Sequence, residues 1–277
     1  KTTDDIGSQG QTPTHPEQLD WPALELVESG WDKKHLQKTI VMSATYRQSS
    51  AATVEEKNRD VQNRLMARGK SSRLSAEMMR DLALAASGLL VKKIGGPSVK
   101  PYQPAGLWSY NAFSSKYEQD HGDNLYRRSL YTFWKRTNPP PSMNILDAPS
   151  RSYCVVRREQ TETPLQALVL MNDPQFVEAA RVLAQRIMIE GGTNSESRIV
   201  LGFRLLTGKR PSQQQIELLQ RQFQEALGED ERDFGEAASI LATGEYKIDN
   251  NLNTKELIAY TKVMSTIMNF DATTMKR

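Results

Sequence analysis

The chain has 277 residues, with 36 basic against 33 acidic side chains and a formal net charge of only +3, too small an excess for a protein whose task is to coat a polyanion. Apolar residues make up 38% and, with the 16 glycines, about 44%, close to the roughly 45–50% of ordinary globular domains, so extended disorder and a membrane-spanning class are both set aside. At about 150 residues per domain the length suits one large domain or two modest ones. A single cysteine, Cys154, excludes an intramolecular disulfide framework and any C-x-x-C haem or redox motif.

In chain order, Thr14-His15-Pro16-Glu17 predicts a helix start. Thr14 is placed to cap, Pro16 loses no needed donor in the first turn, and Glu17 completes a capping box. Gly30 stops this helix, and Asp32 caps a second on which Leu36, Ile40, Val41 and Ala44 share a face, giving a short helical hairpin. The polar run 51–63 suits a solvated helix or a loop. Leu74, Met78, Leu82, Ala85, Ala86 and Leu89 then mark a strong amphipathic helix ended by Gly95-Gly96-Pro97. Arg73, Glu77, Arg80 and Asp81 along it read as surface ion pairs.

After the middle of the chain the helical pattern returns. Pro164 and Pro174 stand as first-turn prolines after Thr163 and Asp173, and Phe176, Val177, Ala180, Leu183, Ala184 and Ile187 line a helix ended by Gly191-Gly192. Ile199, Val200, Phe203 and Leu206 mark another before Gly208, and Ser212 caps one carrying Ile216, Leu219, Phe223 and Leu227. The last carries Leu257, Tyr260, Val263, Met264, Ile267 and Met268. About seven helices result, without the period of a solenoid, and the methionines serve as core packing.

Residues 97–160 differ. They carry nine basic against five acidic side chains, an excess of +4 that leaves the remainder of the chain at −1, and they hold 10 of the 20 aromatics, Tyr110 and Phe113 among them, and 7 of the 13 prolines. Arg128–Lys135 is the best strand candidate, with Tyr153–Arg157 as a pairing partner, and Pro139-Pro140-Pro141 gives an extended connection. The expected fold is therefore mainly α: a multi-helix, bundle-like body with a central irregular, short β-containing segment. Its parts are residues 1–96, 97–160 and 161–277, arranged as one compact unit.

Several runs are recognisable together: Thr14-His15-Pro16-Glu17, Ala44-Thr45-Tyr46-Arg47-Gln48-Ser49-Ser50, Gly95-Gly96-Pro97-Ser98-Val99, the stretch from Tyr126 to Thr137, Thr163-Pro164-Leu165-Gln166-Ala167-Leu168, Asn172-Asp173-Pro174 and Ile267-Met268-Asn269-Phe270-Asp271. Over nearly its whole length the chain resembles the planctomycete-specific C-terminal domain of unknown function that closes large exported cytochrome-c-type multidomain proteins. Glu162 departs from the pattern, which has Asn between the two threonines. The resemblance implies an exported, periplasmic or extracellular setting, upstream domains of the same parent protein as partners, and Lys1 as a cut within a longer architecture. It implies no cofactor in this chain, with haem belonging to an upstream domain or a partner, and it implies no reaction.

Two functions stay open. The first is a binding or assembly module without catalysis. The second is a site that binds or degrades an anionic polysaccharide, because guanidinium groups grip carboxylate, sulfate or phosphate while aromatic rings accept sugar faces. For it the candidate residues are Arg127, Arg128, Arg157, Arg158, Trp134, Asp147 and His121, with Asp120, Asp123 or Asp147 as an acid or base. The competing structural expectation is that these arginines tie an irregular segment to the helical body. No fold signature supports nucleic-acid binding. His15, His35 and His121 lie too far apart in sequence for a local metal motif, and no run reaches the roughly 18 apolar residues of a membrane helix.

Overall fold

The computed structural model describes residues 7–108, 116–228 and 234–276. Tyr110 and Phe113 lie outside the described residues. The chain divides into two compact units, one built of residues up to Arg73 with Val155–Arg157 and the last residues from Met275, the other of Leu74–Cys154 and Arg158–Thr274. The fold is mainly α, with twelve α-helices among the described residues.

The first unit holds α1 (Pro16–Glu28), α2 (Lys33–Met42), α3 (Val54–Arg59) and a two-residue antiparallel pair, β1 (Ser72–Arg73) with β2 (Met275–Lys276). Pro16 opens α1 as expected, but the N-cap is His15, whose Nδ1 lies 3.1 Å from Thr14 Oγ1, so the Thr14/Glu17 capping box does not form. At the other end Gly30 N–H donates to Val27 O and Trp31 N–H to Leu26 O, with Gly30 at φ +71. This is a Schellman stop, which needs a left-handed residue where a side chain would be strained. Asp32 caps α2 by accepting from the N–H groups of Lys34 and His35, and α1 packs against α2. α3 settles the open 51–63 run as a short helix, closed by a true capping box between Thr53 and Glu56.

The second unit is organised around α7 (Pro174–Glu190). Twelve of its seventeen residues are buried, so this helix is enclosed nearly all round instead of on one stripe. It packs against α11 (Thr254–Met268), α4 (Ala76–Ser87), α8 (Ser195–Thr207) and α6 (Pro164–Asn172). Ala179, Ala180 and Ala184 are at most 1% exposed, and their small side chains let neighbouring helices approach. α9 (Gln213–Gly228) lies against α11, where Phe223 stacks on Tyr260 at 4.2 Å. The predicted apolar faces of α9 and α11 are the buried ones, apart from half-buried Leu227, each enclosed side chain contributing about 1.5–3 kcal/mol. The short helices α5 (Pro141–Ile145), α10 (Phe234–Ala242) and α12 (Asp271–Thr274) complete the unit.

Three expectations fail here, for one reason. α4 ends at Gly88, left-handed at φ +88, well before Gly95-Gly96, and it buries Ala76, Met79, Arg80, Ala83 and Leu84 while Met78 is 60% exposed. The predicted strand Arg128–Lys135 is not one: a 3₁₀ turn forms at Ser129–Tyr131, and single parallel bridges join Val99 to Thr132 and Val91 to Arg127 in place of pairing with Tyr153–Arg157. Two of the charged residues read as surface ion pairs, Arg80 and Asp81, do not behave as such. Arg80 is 3% exposed and donates to the carbonyls of Arg127 (2.7 Å) and Leu125 (2.7 Å), to Ser129 Oγ and to Gln175 Oε1, while Asp81 accepts from Ser129 N–H and Oγ–H, both at 2.7 Å. Side chains of α4 therefore capture the backbone that a sheet ladder would have used, and they turn the helix by doing so. Burial lowers the Arg80 pKa to about 10, against the opposing pull of Asp81 and Asp173, so the guanidinium stays charged at neutral pH.

Candidate functional site

The residues singled out from sequence fall into separate places. Arg127 is 2% exposed and aims inward, donating to the carbonyls of Pro97 (2.9 Å), Gly95 (2.5 Å) and Lys93 (3.3 Å), with its guanidinium 3.8 Å from the Tyr131 ring centroid. It is the peg that holds the Gly95-Gly96 turn. Arg128 is exposed, and Arg157 belongs to the first unit. Arg158 pairs with Glu77 at 2.7 Å. Trp134 donates its indole N–H to Ser150 O at 2.9 Å beneath Arg151. Asp147 sits at φ +62 and accepts from Thr161 N–H, Thr161 Oγ1–H and Gln166 Nε2, which also donates to Ile145 O. Gln166 thus satisfies backbone and side-chain groups of the turn before α6. Trp108 packs against both Tyr117 and Phe133, with the Lys135 ammonium 4.3 Å from the Trp108 ring. Cys154 is exposed.

Burial pushes the Glu77 carboxyl up and its bond to Arg158 pulls it down, with a net shift below the ordinary 4.5. A carboxylate held low in the folded state stabilises fully above its unfolded pKa and loses that contribution as pH falls through the folded value. Glu77→Gln is expected to remove one acid-sensitive step, so the wild type and the variant should be separated in thermal midpoint above pH 4.5 and draw together as the pH falls below it, read by circular dichroism at each pH.

Two features were not legible from the sequence motifs. One is a row of polar side chains on the buried helix α7: Gln175, Glu178, Arg181 and Gln185, none more than 6% exposed. Gln175 accepts from Arg80, and the other three grip the strap that follows α10. Glu178 Oε1 accepts from Tyr246 N–H (2.8 Å) and Tyr126 Oη–H (2.9 Å), Arg181 Nη2 donates to the carbonyls of Thr243 (3.1 Å) and Tyr246 (2.8 Å), and Gln185 Oε1 accepts from Asp249 N–H (2.7 Å). Glu245 N–H donates to Tyr102 Oη, and the Glu245 carboxylate accepts from His121 Nδ1–H (2.5 Å) and Gly122 N–H (3.1 Å). Burial and the Glu178 charge push the Tyr102 and Tyr126 hydroxyls far above their ordinary range, and burial lowers Arg181. Beside this row opens a cleft of about 1120 Å³, with Val182, Gln185 and Arg186 among the lining residues of α7, residues 245–249 of the strap, and Gly122, Asp123 and Tyr126. Of the sequence candidates, Asp123 is among the lining residues of this cleft and His121 is bonded to its rim through Glu245. A periodic Gln-x-x-Glu-x-x-Arg row within an apolar helix was the available signal.

The other feature is the bare surface of the first unit. Among its described residues only Arg73 is buried, while Trp21, Leu24, Val27, Trp31, Ile40 and Val41 of the α1–α2 hairpin are between 44% and 66% exposed. Leu26 and Leu36 are half-buried.

A mainly helical protein, holding among its described residues neither a metal-ligating cluster nor a helix long and apolar enough to cross a membrane, is the class that these observations define. Residues 1–223 match the family described as PSD1, protein of unknown function (DUF1553), and the chain belongs to that family. No curated protein and no solved structure matches it.

Proposed function

We propose that the chain is a binding and assembly module of a larger exported, cytochrome-c-associated protein, and that its α1–α2 hairpin is the docking surface. One observation carries this reading: a unit of some seventy residues that buries no apolar side chain of its own among the described residues. Ordering a backbone costs about 1–2 kcal/mol per residue, and hydrophobic burial is the main compensation, so a surface of this kind is completed by a partner. Two tryptophans flanked by aliphatic side chains match the composition of interface anchors. The occupant is an apolar face of the upstream region of the same parent protein, in keeping with the motif resemblance, and any haem lies on that side.

The arginine cluster gives the polysaccharide alternative less support, because Arg127 is spent on backbone carbonyls and Arg158 on Glu77. The upstream region and this chain, purified separately, should associate in a pull-down at about 10 µM, and Trp21→Ser with Trp31→Ser should weaken the complex at least tenfold, as loss of interface anchors does. Absence of association between two folded partners would remove the proposal.

A further inference from the structure

We infer that the loop of residues 92–98 is a membrane-contact element, with Ile94 entering the boundary between headgroups and acyl chains of an anionic lipid surface while Lys92, Lys93 and Arg128 meet the phosphates. The inference is independent of the hairpin and uses the second unit alone. All seven residues of the loop are exposed, and Ile94, at 85%, is the most exposed of the large apolar side chains among the described residues. Open tips are the usual place for a loose backbone, yet this one is fixed from beneath. Arg127, 2% exposed, donates to the carbonyls of Lys93, Gly95 and Pro97, Gly95 N–H donates to Tyr131 Oη at 2.8 Å, and Gly95 and Gly96 turn through left-handed φ values of +80 and +89. A buried guanidinium thus holds in one shape a tip whose own side chains stay in solvent. A shape set in advance removes the ordering cost from binding.

Cations flank the apolar tip. No acidic residue occurs in the sequence between Asp81 and Glu118, and Arg128, also exposed, stands one position past the parallel bridge between Val91 and Arg127, beside Lys92. Lys92, Lys93 and Arg128 form no ion pair with another described residue. An anionic polymer would answer these cations and leave the isoleucine in water. A protein pocket with an acidic rim would answer both, but a stable protein interface takes about 20–30 residues from each side, and this tip offers seven. A bilayer surface accepts a single insertion, takes up the aliphatic side chain and sets phosphates beside the cations.

The test is co-sedimentation of the whole chain with vesicles of phosphatidylcholine and phosphatidylglycerol at a ratio of about 70 to 30, beside vesicles of phosphatidylcholine alone, at low ionic strength. Half of the protein should be bound at about 1 mM accessible anionic-vesicle lipid, with binding to phosphatidylcholine alone about tenfold weaker or less. Ile94→Ser, and separately Lys92→Gln with Lys93→Gln, should each weaken anionic-vesicle binding about tenfold. Both leave the carbonyls held by Arg127 in place, and circular dichroism checks the fold. Absence of binding to the anionic vesicles, equal binding to phosphatidylcholine, or binding that either folded variant leaves unchanged would overturn the inference. The last outcome covers adsorption through the hairpin tryptophans, which neither change touches, and adsorption by charge alone, which Ile94→Ser would not weaken. Silent vesicles together with an association to the upstream region that Ile94→Ser weakens would also overturn it, and would assign the tip to a protein pocket.

Discussion

Arg80→Met should be the most damaging single change in the second unit, abolishing its cooperative unfolding transition or lowering stability by about 3–5 kcal/mol. The methionine fills a similar volume, so the effect isolates hydrogen bonding from packing. Four acceptors lose their donor at once: the carbonyls of Leu125 and Arg127, Ser129 Oγ and Gln175 Oε1. The residue is 3% exposed, so water cannot substitute for the guanidinium without opening the structure. Urea unfolding followed by far-ultraviolet circular dichroism measures the loss. A variant with near wild-type stability would show that the 125–129 backbone finds other partners. Arg80→Lys should recover only a small part, since one ammonium cannot span acceptors that the guanidinium fork meets in several directions.

The second large effect is expected at Gly244. Its φ of +87 strains any side chain, and a Cβ there would overlap the Glu178 carboxyl group. Gly244→Ala is expected to cost about 2–4 kcal/mol, through backbone strain and through displacement of the carboxylate that holds Tyr246 N–H and the Tyr126 hydroxyl. The two causes separate in a double-mutant cycle. Glu178→Ala removes the overlapping group, so Gly244→Ala in that background should cost only its conformational part, and the two single losses should sum to more than the double loss by at least about 1 kcal/mol. Strict additivity would mean that the strap moves aside without disturbing the row on α7.

The helices that pack by one apolar stripe were legible in the sequence, and the one that organises the fold was legible only in part. α9 and α11 follow the 3.6-residue pattern because a single face of each meets the core. α7 is enclosed all round, and the strap partners of Glu178 and Arg181 lie 62 to 68 positions away, where no local pattern announces them. α4 misled for the same reason: an inward arginine at position 80 is indistinguishable by spacing from an outward one. In the segment 97–160 several of the cations take the structural role that stood beside the binding one in the sequence reading. Lys135 over Trp108, Arg127 over Tyr131 and Arg151 over Trp134 are contacts within the segment, which is how a chain with few ladder bonds supplies its own ties. Of the sequence candidates Asp123 lines the cleft, and His121 reaches its rim through a bond to Glu245 that spans 124 positions and that no local motif announces.

The Leu74 N–H donates to Thr274 O at 2.8 Å, so the polypeptide enters and leaves the second unit at neighbouring points. Tension applied across those two points would not shear the α7 core. It would load this hydrogen bond and the adjoining β1–β2 pair like the pull tab of a zipper, and the helical body beyond would feel little force until the tab had parted. Traction entering at Leu74 and leaving at Thr274 would therefore cross that junction and keep the α7 core off the line of force.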